Sequence, residues 1–333
     1  MTDQRQARLA ADIGGTFTDV VVEQGERRAS VKVLTTVDAP ERGVMEGIET
    51  LLEQLRLEPS SIGVVIHGTT LATNALIERK GARTAFLTTE GVGDLLDMGF
   101  EKRYAHYDLY QERSPALVPP ERRFEVPERV AADGQVLKPL DEDAVGRIAD
   151  KLTSLDVEAV AIGFLHAYAH GDHERRVRSI LEERLTGVTI CLSSEVCPEI
   201  REYERFSTTV ANAYVRPLMA GYLERLGGLL LERGIDAPLF VMMSGGGLTT
   251  LDQARRLPIR LVESGPAGGA ILAADIARQM GEKEVVAFDM GGTTAKVCLI
   301  TGGAPDRSRR FEVARAYRDL KGSGLPLRIP VID

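Results

Sequence analysis

One five-residue pattern, Asp-x-Gly-Gly-Thr, occurs twice in this chain, at Asp12–Thr16 and at Asp289–Thr293. Each copy lies between two apolar runs, which predicts a strand, a tight turn and a second strand at both places. The paired glycines let backbone N–H groups converge on an anion without a Cβ in the way. A single copy also fits an ordinary hairpin turn and is weak evidence. Two copies in the same setting favour two phosphate-binding turns that hold one nucleotide.

The residue types at these turns predict individual roles. Asp12 and Asp289 are expected to hold Mg²⁺, through water, beside the phosphates, although a carboxylate that only caps a turn is the alternative. Asp19 could reach the same metal and Lys296 could offset phosphate charge, but both also fit an ordinary strand surface. The two predicted phosphate nests consist of Gly14, Gly15 and Thr16 in the first copy and Gly291, Gly292, Thr293 and Thr294 in the second. Thr18, which follows the first nest, and Lys296 are also expected to bind the cofactor.

Composition limits the class of protein. With 333 residues, of which 44% are hydrophobic, the chain is long enough for two domains with a substantial core. A net charge of −8 and a pI of about 5.4 argue against nucleic acid or an anionic membrane as the partner. There is no apolar run of membrane-spanning length and no apolar signal region, so a cytoplasmic protein is expected. Cys191, Cys197 and Cys298 show no metal-binding spacing and fit a reduced compartment.

Periodicity along the chain predicts an α/β fold. Three N-terminal strands joined by short turns should be antiparallel neighbours, and a helix capped by Asp38, with Glu41 in its first turn, should follow. Strands and helices then alternate, and Pro217 is expected to kink or split the longest helix. The predicted strands are 9–13, 17–23, 29–35, 64–67, 84–88, 159–165, 188–193 and 239–243, and the later helices are 71–80, 172–185 and 199–233.

The segment 97–139 interrupts this alternation. It contains five prolines and is rich in Arg and Tyr, so we expect an ordered excursion near a site or an interface. Candidate substrate contacts in it are Arg103, Tyr104, His106 and Tyr107, for which plain surface positions are the alternative.

The order of these features resembles the actin-like ATPase superfamily, and within it the A subunit of the hydantoinase/oxoprolinase family. The resemblance implies an actin-like (ribonuclease H-like) ATPase fold. Residues 1–260 would form a complete N-terminal domain, and residues 261–333 a crossing helix and the start of a second, truncated domain. The matching stretches are ADIGGTFTDVVV at 11–22, HGTTLATNALIERKGA at 67–82, LVPPERRFEVPERV at 117–130, SGGGL at 244–248, ESGPAGGA at 263–270 and FDMGGTTAKV at 288–297.

The resemblance also implies a function. It is ATP-dependent ring opening of a cyclic amide or imide, such as 5-oxoproline or a hydantoin, by phosphorylation of a carbonyl, with ATP and Mg²⁺ and a B-type partner subunit. A carboxylase subunit of the acetone or acetophenone type is the enzymatic alternative, and an incomplete non-catalytic module is another. The resemblance places the 67–74 loop near the substrate, with His67 as a catalytic residue. The expected substrate contacts are His67, Thr69, Thr70 and Asn74, against the alternative of a helix cap with one satisfied histidine.

The C-terminus departs from the pattern of the family, because only 39 residues follow Thr294. We therefore expect roughly the N-terminal half of an A subunit. Such a chain, alone, should bind ATP weakly or not at all and should expose apolar surface.

Two further patterns point to structure rather than chemistry. His166, His170 and His173 have a spacing that suits a metal on a helix, but Gly171 and Asp172 break the helix between them and predict a helix start instead. Ser244 precedes three glycines without a nucleophile-elbow pattern, which favours a close-packed backbone loop.

Overall fold

A computed structural model of the chain describes residues 6–36, 38–290, 295–317 and 320–332. The chain forms two compact units, each built from separate stretches of sequence. Unit 1 comprises Met1–Asn74, Met219–Arg309 and Pro330–Asp333, and unit 2 comprises Ala75–Leu218 and Arg310–Ile329. The predicted boundary between residues 260 and 261 lies inside unit 1 and stays a prediction.

The elements alternate between strands and helices over most of the chain. The strands are β1 (Ala7–Ile13), β2 (Phe17–Gln24), β3 (Arg27–Leu34), β4 (Ile62–Thr69), β5 (Thr84–Thr89), β6 (Arg123–Val126), β7 (Arg129–Val130), β8 (Val136–Lys138), β9 (Ala159–Gly163), β10 (Thr189–Leu192), β11 (Leu239–Met242), β12 (Leu248–Thr250), β13 (Glu284–Met290), β14 (Ala295–Thr301), β15 (Ala304–Pro305), β16 (Arg307–Ser308), β17 (Phe311–Val313), β18 (Leu325–Leu327) and β19 (Val331–Ile332). The helices are α1 (Pro40–Leu55), α2 (Leu71–Ile77), α3 (Leu95–Met98), α4 (Glu142–Ser154), α5 (Asp172–Arg184), α6 (Ser193–Val196), α7 (Glu202–Glu232), α8 (Leu251–Arg256) and α9 (Ser264–Met280).

Unit 1 contains a six-stranded sheet in the order β12-β11-β4-β1-β2-β3. Strand β2 is antiparallel to β1 and β3, as their short connecting turns predict, whereas β4 is parallel to β1 and to β11. The α/β fold class is confirmed by this mixture. Along β1 every second residue is buried, so the other face of the strand carries Asp12 outward.

Helix α1 covers the buried face of this sheet. A Cβ atom at Gly47 would lie 2.5 Å from Val20 Cγ2, so the helix approaches β2 more closely than any larger residue allows. The predicted cap was wrong: Ala39 occupies the N-cap position and makes no side-chain bond. The reason is Pro40, whose fixed φ and missing N–H suit the first helical position and place Asp38 outside the helix.

A second sheet in unit 1 consists of β13, β14 and β15, all antiparallel, and α9 packs against it. This helix begins at Ser264, where the resemblance places the crossing helix, and a crossing between two domains stays a prediction.

Unit 2 is built around a parallel four-stranded sheet in the order β10-β9-β5-β6. Its core packs the buried strands β5 and β9 against α4 and α5, with Leu87, Val160, Leu152 and Leu181 among the residues that exclude water. Strand β6 lies within the predicted excursion 97–139, where no strand was expected, because the surrounding prolines conceal its short pattern.

Helix α7 runs without interruption from Glu202 to Glu232, so of the two outcomes predicted at Pro217, a kink or a split, the split does not occur. None of the described helices, α7 included, is both long and apolar enough to cross a membrane.

Candidate functional site

The first Asp-x-Gly-Gly-Thr segment forms the tight connection between β1 and β2. Gly14 N–H donates to Phe17 O at 2.9 Å, and a Cβ atom at Gly14 would lie only 3.0 Å from that same oxygen. The turn is tied down by Thr35, whose N–H and hydroxyl donate to the carbonyls of Thr16 and Gly14 at 3.0 Å. No hydrogen bond among the described residues uses the N–H groups of Gly15 and Thr16, and both residues are exposed. These two donors are available to an anion.

Asp12 precedes this turn, and its carboxylate lies against two glycines. Gly68 is its register partner on β4, and a Cβ atom there would come within 2.5 Å of Asp12 Oδ1. Gly265, in the first turn of α9, would place a Cβ atom 3.6 Å from Asp12 Oδ2, an ordinary contact distance. The carboxylate therefore lies between the end of a neighbouring strand and the beginning of a helix, where backbone dipoles favour negative charge.

Further negative charge surrounds Asp12. The pKa of its carboxyl group is raised, first by loss of hydration and then by the charges of Asp19 and Asp289, while Lys32 lowers it. The side chain keeps some solvent access, so the loss of hydration comes from the walls around it rather than from complete burial. Asp19 is neutralised in part by Lys32, whose Nζ lies 2.6 Å from it. Asp12 and Asp289 therefore repel each other, and no ion pair within the described ranges neutralises either of them.

The second predicted turn is described only through the two strands that flank it, β13 and β14. Gly291, Gly292, Thr293 and Thr294 lie outside the described residues. Asp289 is exposed near the end of β13, and Lys296 is its register partner on β14. Lys296 forms an ion pair with Glu263, the N-cap residue of α9. Burial lowers the pKa of Lys296 to about 8, but the adjacent Glu263 carboxylate stabilises the ammonium form, and we regard the pair as charged.

A cavity of about 340 Å³ lies within unit 1 beside Asp12. Its walls are the outward face of the six-stranded sheet and the N-terminal half of α9. A Cβ atom at Gly269 would meet nothing within 4 Å, so the glycines of the helix leave this space open. The lining residues are Ala10, Ala11, Asp12, Asp19, Val21, Ile66, Gly68, Met242, Ser264, Gly265, Gly268, Gly269 and Leu272. The cavity combines an apolar wall with carboxylates at one end.

His67, expected to be catalytic and to contact substrate, is fully buried instead. Its Nδ1 lies 3.0 Å from Ala11 O, and its Nε2 lies 2.7 Å from the hydroxyl of Tyr222 on α7. Burial lowers the pKa of His67 to about 4, so the ring is neutral at pH 7. Both nitrogens are occupied, and the structure therefore favours the alternative of a satisfied histidine inside the core.

The remaining predicted polar contacts divide into two groups. Thr18 and Thr69 are fully buried: Thr18 Oγ1 bonds Thr35 Oγ1 at 3.0 Å, and Thr69 Oγ1 accepts from Leu71 N at 3.2 Å. Both hydroxyls are bonded within the protein, and their assignment to cofactor and substrate stays a prediction. Thr70 donates its hydroxyl to Ile13 O at 3.1 Å and accepts from Asn74 Nδ2 at 3.4 Å.

Asn74, like Thr70, lies next to the first turn. A Cβ atom at Gly15 would lie 3.8 Å from Asn74 Nδ2. Asn74 and Thr70 are half-buried, so they remain candidates for contacts near the turn.

The other chemistry-bearing residues take up separate, structural positions. His170 Nε2 lies 3.3 Å from Ala132 O, and His173 Nδ1 lies 2.7 Å from Glu128. Ser244 is buried and donates its hydroxyl to Arg260 O at 2.8 Å, as a close-packed loop requires. Cys191, Cys197 and Cys298 form no disulfide within the described part of the chain, and the first two are buried.

Asp12 and Asp289 suit a magnesium ion that is completed by other ligands. Within the described ranges, no group of three or more His, Cys, Asp or Glu side chains could hold a metal by itself. Mg²⁺ is usually bound by one or two carboxylates together with phosphate oxygens and water. The mutual repulsion of Asp12 and Asp289 would be relieved by such a cation, so the residues present fit it.

Two family models match the chain almost from end to end. One describes the hydantoinase/oxoprolinase N-terminal region and matches residues 8–185, which is more than half of the chain. The other describes hydantoinase/oxoprolinase and matches residues 205–333. The chain belongs to the hydantoinase/oxoprolinase family. The resemblance inferred from the motifs is confirmed.

Among the relatives of this family member is the caprolactamase subunit alpha of Pseudomonas jessenii, 34% identical over 95% of this chain and 46% of its own. The crystal structure of that ATP-dependent caprolactamase superposes with a TM-score of 0.85 and 31% identity, over 98% of this chain and 47% of the other. A nucleotide-free structure of acetone carboxylase, from work on ATP-dependent acetone carboxylation, has a TM-score of 0.86 and 26% identity over 98% and 47%. A 5-oxoprolinase of Saccharomyces cerevisiae is 33% identical over 87% of this chain and 25% of its own.

These relatives define what is common to the family. It includes ATP-dependent lactamases, 5-oxoprolinases and carboxylases, and several of its members are subunits of larger enzymes. The chain spans about half the length of the caprolactamase subunit, and a smaller share of the 5-oxoprolinase.

Sequence reasoning missed Gly68 and Tyr222 as determinants of the site. Gly68 follows directly from strand register, because a parallel pair places it beside Asp12. Gly68 is part of the HGTT stretch, but the sequence does not show that its neighbour across the sheet is Asp12. Tyr222 lies 155 residues from His67, and nothing in the sequence indicates that contact.

Proposed function

We propose that this chain supplies the phosphate-binding wall of an ATP-dependent enzyme that opens the ring of a cyclic amide or imide. The observation that carries the proposal is the position of Asp12, held between Gly68 and Gly265 directly before a turn with two open backbone donors. An anion bound by Gly15 N–H and Thr16 N–H would lie beside this carboxylate.

The residues of the site would bind either the phosphates or the metal ion. The N–H groups of Gly15 and Thr16 would bind phosphate oxygens, and Asp12 with Asp289 would hold Mg²⁺ through water. When bound, the metal would neutralise charge on the phosphates. Lys296 is engaged with Glu263 and would need to leave that ion pair before it could contact a phosphate.

The chemistry we propose is phosphorylation of the substrate carbonyl oxygen by ATP, which makes the ring carbon open to attack by water. The family relation to a caprolactamase and a 5-oxoprolinase supports an amide substrate. We also propose that activity needs the polypeptide that corresponds to the second half of the relatives and a B-type subunit. The isolated chain would then bind ATP weakly.

The test is ATP turnover by the complete assembly with a panel of cyclic amides: 5-oxoproline, hydantoin and caprolactam. The expected result is phosphate release that depends on one amide, with a product whose mass equals that of the amide plus one water. Phosphate release that needs bicarbonate and a ketone, with a carboxylated product, would instead support the carboxylase alternative, since an acetone carboxylase shares the fold.

A further inference from the structure

Lys296 is the cross-strand neighbour of Asp289, yet it forms its ion pair elsewhere. The two are register partners on β13 and β14, and the side chains of such a pair lie close together on one face of the sheet. Asp289 also acts on Asp12, so a lysine here could neutralise two carboxylates that repel each other. Among the described residues, however, Lys296 makes its ion pair with Glu263. The carboxylate of Glu263 therefore competes with Asp289 for the same ammonium group.

Glu263 has an unusual backbone conformation for the N-cap residue of a helix. Its φ of 66° lies in the left-handed region that favours glycine, whereas N-cap residues usually have an extended backbone. An N-cap side chain also normally accepts a hydrogen bond from the first turn, and Glu263 makes no such bond. Its carboxylate is paired with Lys296 instead of capping α9.

Neighbouring contacts hold Glu263 in this conformation. Its N–H donates to Thr73 Oγ1 at 3.2 Å. The next residue, Ser264, is fully buried and bonds Thr69 twice, accepting from Thr69 N at 3.4 Å and donating to Thr69 O at 3.1 Å. These bonds fix the beginning of α9 against the end of β4 and the first turn of α2. A residue other than glycine persists in the left-handed region only where its surroundings impose it.

Solvent exposure favours Glu263 over Asp289 as the partner of Lys296. The side chain of Glu263 is 14% exposed and that of Lys296 is 32% exposed, so water and salt screen their attraction only in part. Asp289 is exposed, and an ion pair with it would be weaker. Without the Glu263 carboxylate, Asp289 would be the nearest alternative on the neighbouring strand.

We propose that Glu263 is a positioning residue, which holds Lys296 away from Asp289 and so leaves the Asp12–Asp289 pair open to a divalent cation. This inference rests on the proposed function for the metal and deepens it, because it gives the chain a means of keeping its own lysine out of the metal site. Glu263 does not touch the metal in this arrangement. It acts through Lys296, which would otherwise compete with the cation for Asp289.

The experiment is an NMR titration of the 333-residue chain with Mn²⁺ and without nucleotide. Paramagnetic broadening of the amide signals of Gly14 and Gly15 reports an ion beside Asp12. Glu263→Gly removes the carboxylate and suits the left-handed backbone, so the fold should be kept. We expect this variant to bind Mn²⁺ roughly 2- to 5-fold more weakly, the range that one exposed ion pair in competition with the cation can cause. Glu263→Gln, which keeps the length of the side chain, should have the same effect.

Removal of the lysine separates positioning from a simple effect of charge. In the Glu263→Gly chain, Lys296→Met should restore Mn²⁺ affinity, because the competitor for Asp289 is gone. In the unsubstituted chain the same substitution should change the affinity by a smaller factor, since Glu263 already holds Lys296. Glu23→Gln is the matched control. It removes a carboxylate of the same unit that is paired with Arg8, and it should change Mn²⁺ affinity little.

The proposal is overturned if both Glu263 variants bind Mn²⁺ as tightly as the unsubstituted chain. It is also overturned if Lys296→Met changes the affinity by the same factor with and without Glu263, because Glu263 would then act only through its charge. Asp12→Asn distinguishes these results from a failure of the proposed function. Broadening that is absent from the unsubstituted chain, or that persists in Asp12→Asn, would contradict the metal assignment and this inference together. Broadening that depends on Asp12 but not on Glu263 would contradict the positioning role alone.

Discussion

Gly68 lies beside Asp12 across the β1–β4 pair, so close that a Cβ atom on it would be 2.5 Å from Asp12 Oδ1. A side chain at position 68 must therefore move the carboxylate. We predict that Gly68→Ala leaves the sheet intact but lowers amide-dependent ATP turnover of the complete assembly. Displacing a reacting group by about 1 Å costs roughly 100-fold.

The matched control for this substitution is Gly228→Ala. Gly228 lies in α7, and a Cβ atom there would meet nothing within 4 Å. It should fold and turn over ATP like the unsubstituted chain. Equal turnover by Gly68→Ala and Gly228→Ala would show that the Asp12 carboxylate does not need its observed position.

The burial of His67 predicts how stability depends on pH. Its pKa is 6.5 in an unfolded chain and about 4 in the folded one, so between these values the unfolded state binds more protons. The contribution is complete above pH 6.5 and is lost as the pH falls towards 4, by about 3 kcal/mol in all. Between pH 7 and pH 5 the loss should be about 2 kcal/mol.

Denaturant unfolding at pH 7 and pH 5 measures this contribution, with His67→Gln as the reference that cannot titrate. The unsubstituted chain should lose more free energy of unfolding over this interval than His67→Gln. An equal loss in both would mean that the His67 ring takes up protons in the folded state. That result would favour a catalytic role for His67.

Tyr222→Phe tests the same contact from the other side. It removes the hydroxyl that lies 2.7 Å from His67 Nε2, and both residues are buried. Leaving a buried partner unsatisfied costs about 1–3 kcal/mol of unfolding free energy. Tyr107→Phe, at a fully exposed tyrosine, should cost nothing measurable. A Tyr222→Phe variant as stable as Tyr107→Phe would argue against the bond.

The outward face of β13 and β14 predicts self-association of the isolated chain. Strand register places Val286 opposite Leu299 and Phe288 opposite Val297 on the face away from α9, and each of the four is more than half exposed. Contiguous apolar surface of this kind favours association. We expect Phe288→Lys to lower the sedimentation-derived mass at a given concentration, and Lys283→Glu, also on the surface, to leave it unchanged. Equal masses for both variants would contradict this expectation.

Much of the fold follows from local pattern. The strands β1, β2 and β3 were predictable because alternation and short turns determine both their type and their antiparallel order. The start of α1 was not, because the preference of Asp38 for a cap competes with that of Pro40 for the first helical turn. Strand β6 was not predicted, because four residues close to prolines are too few to show a clear alternation of polar and apolar side chains.

The site was predictable as a set of residue types but not as a set of contacts. Asp12 and the glycines after it were recognisable because a phosphate turn needs them in sequence. The roles of His67 and Thr18 depend on partners brought by Tyr222 and Thr35, which only tertiary packing supplies. A polar residue next to a motif can therefore be a ligand or a buried structural group, and sequence alone does not separate the two.

The most direct test of the central claim is amide-dependent ATP turnover by the complete assembly that carries Asp12→Asn. The substitution keeps the shape of the side chain and removes its charge. If Asp12 holds Mg²⁺ through water beside the phosphates, turnover should fall by about 10- to 100-fold, as for other residues that act on a metal through its outer shell. Turnover equal to that of the unsubstituted assembly would contradict the assignment of Asp12 and, with it, the phosphate site proposed here.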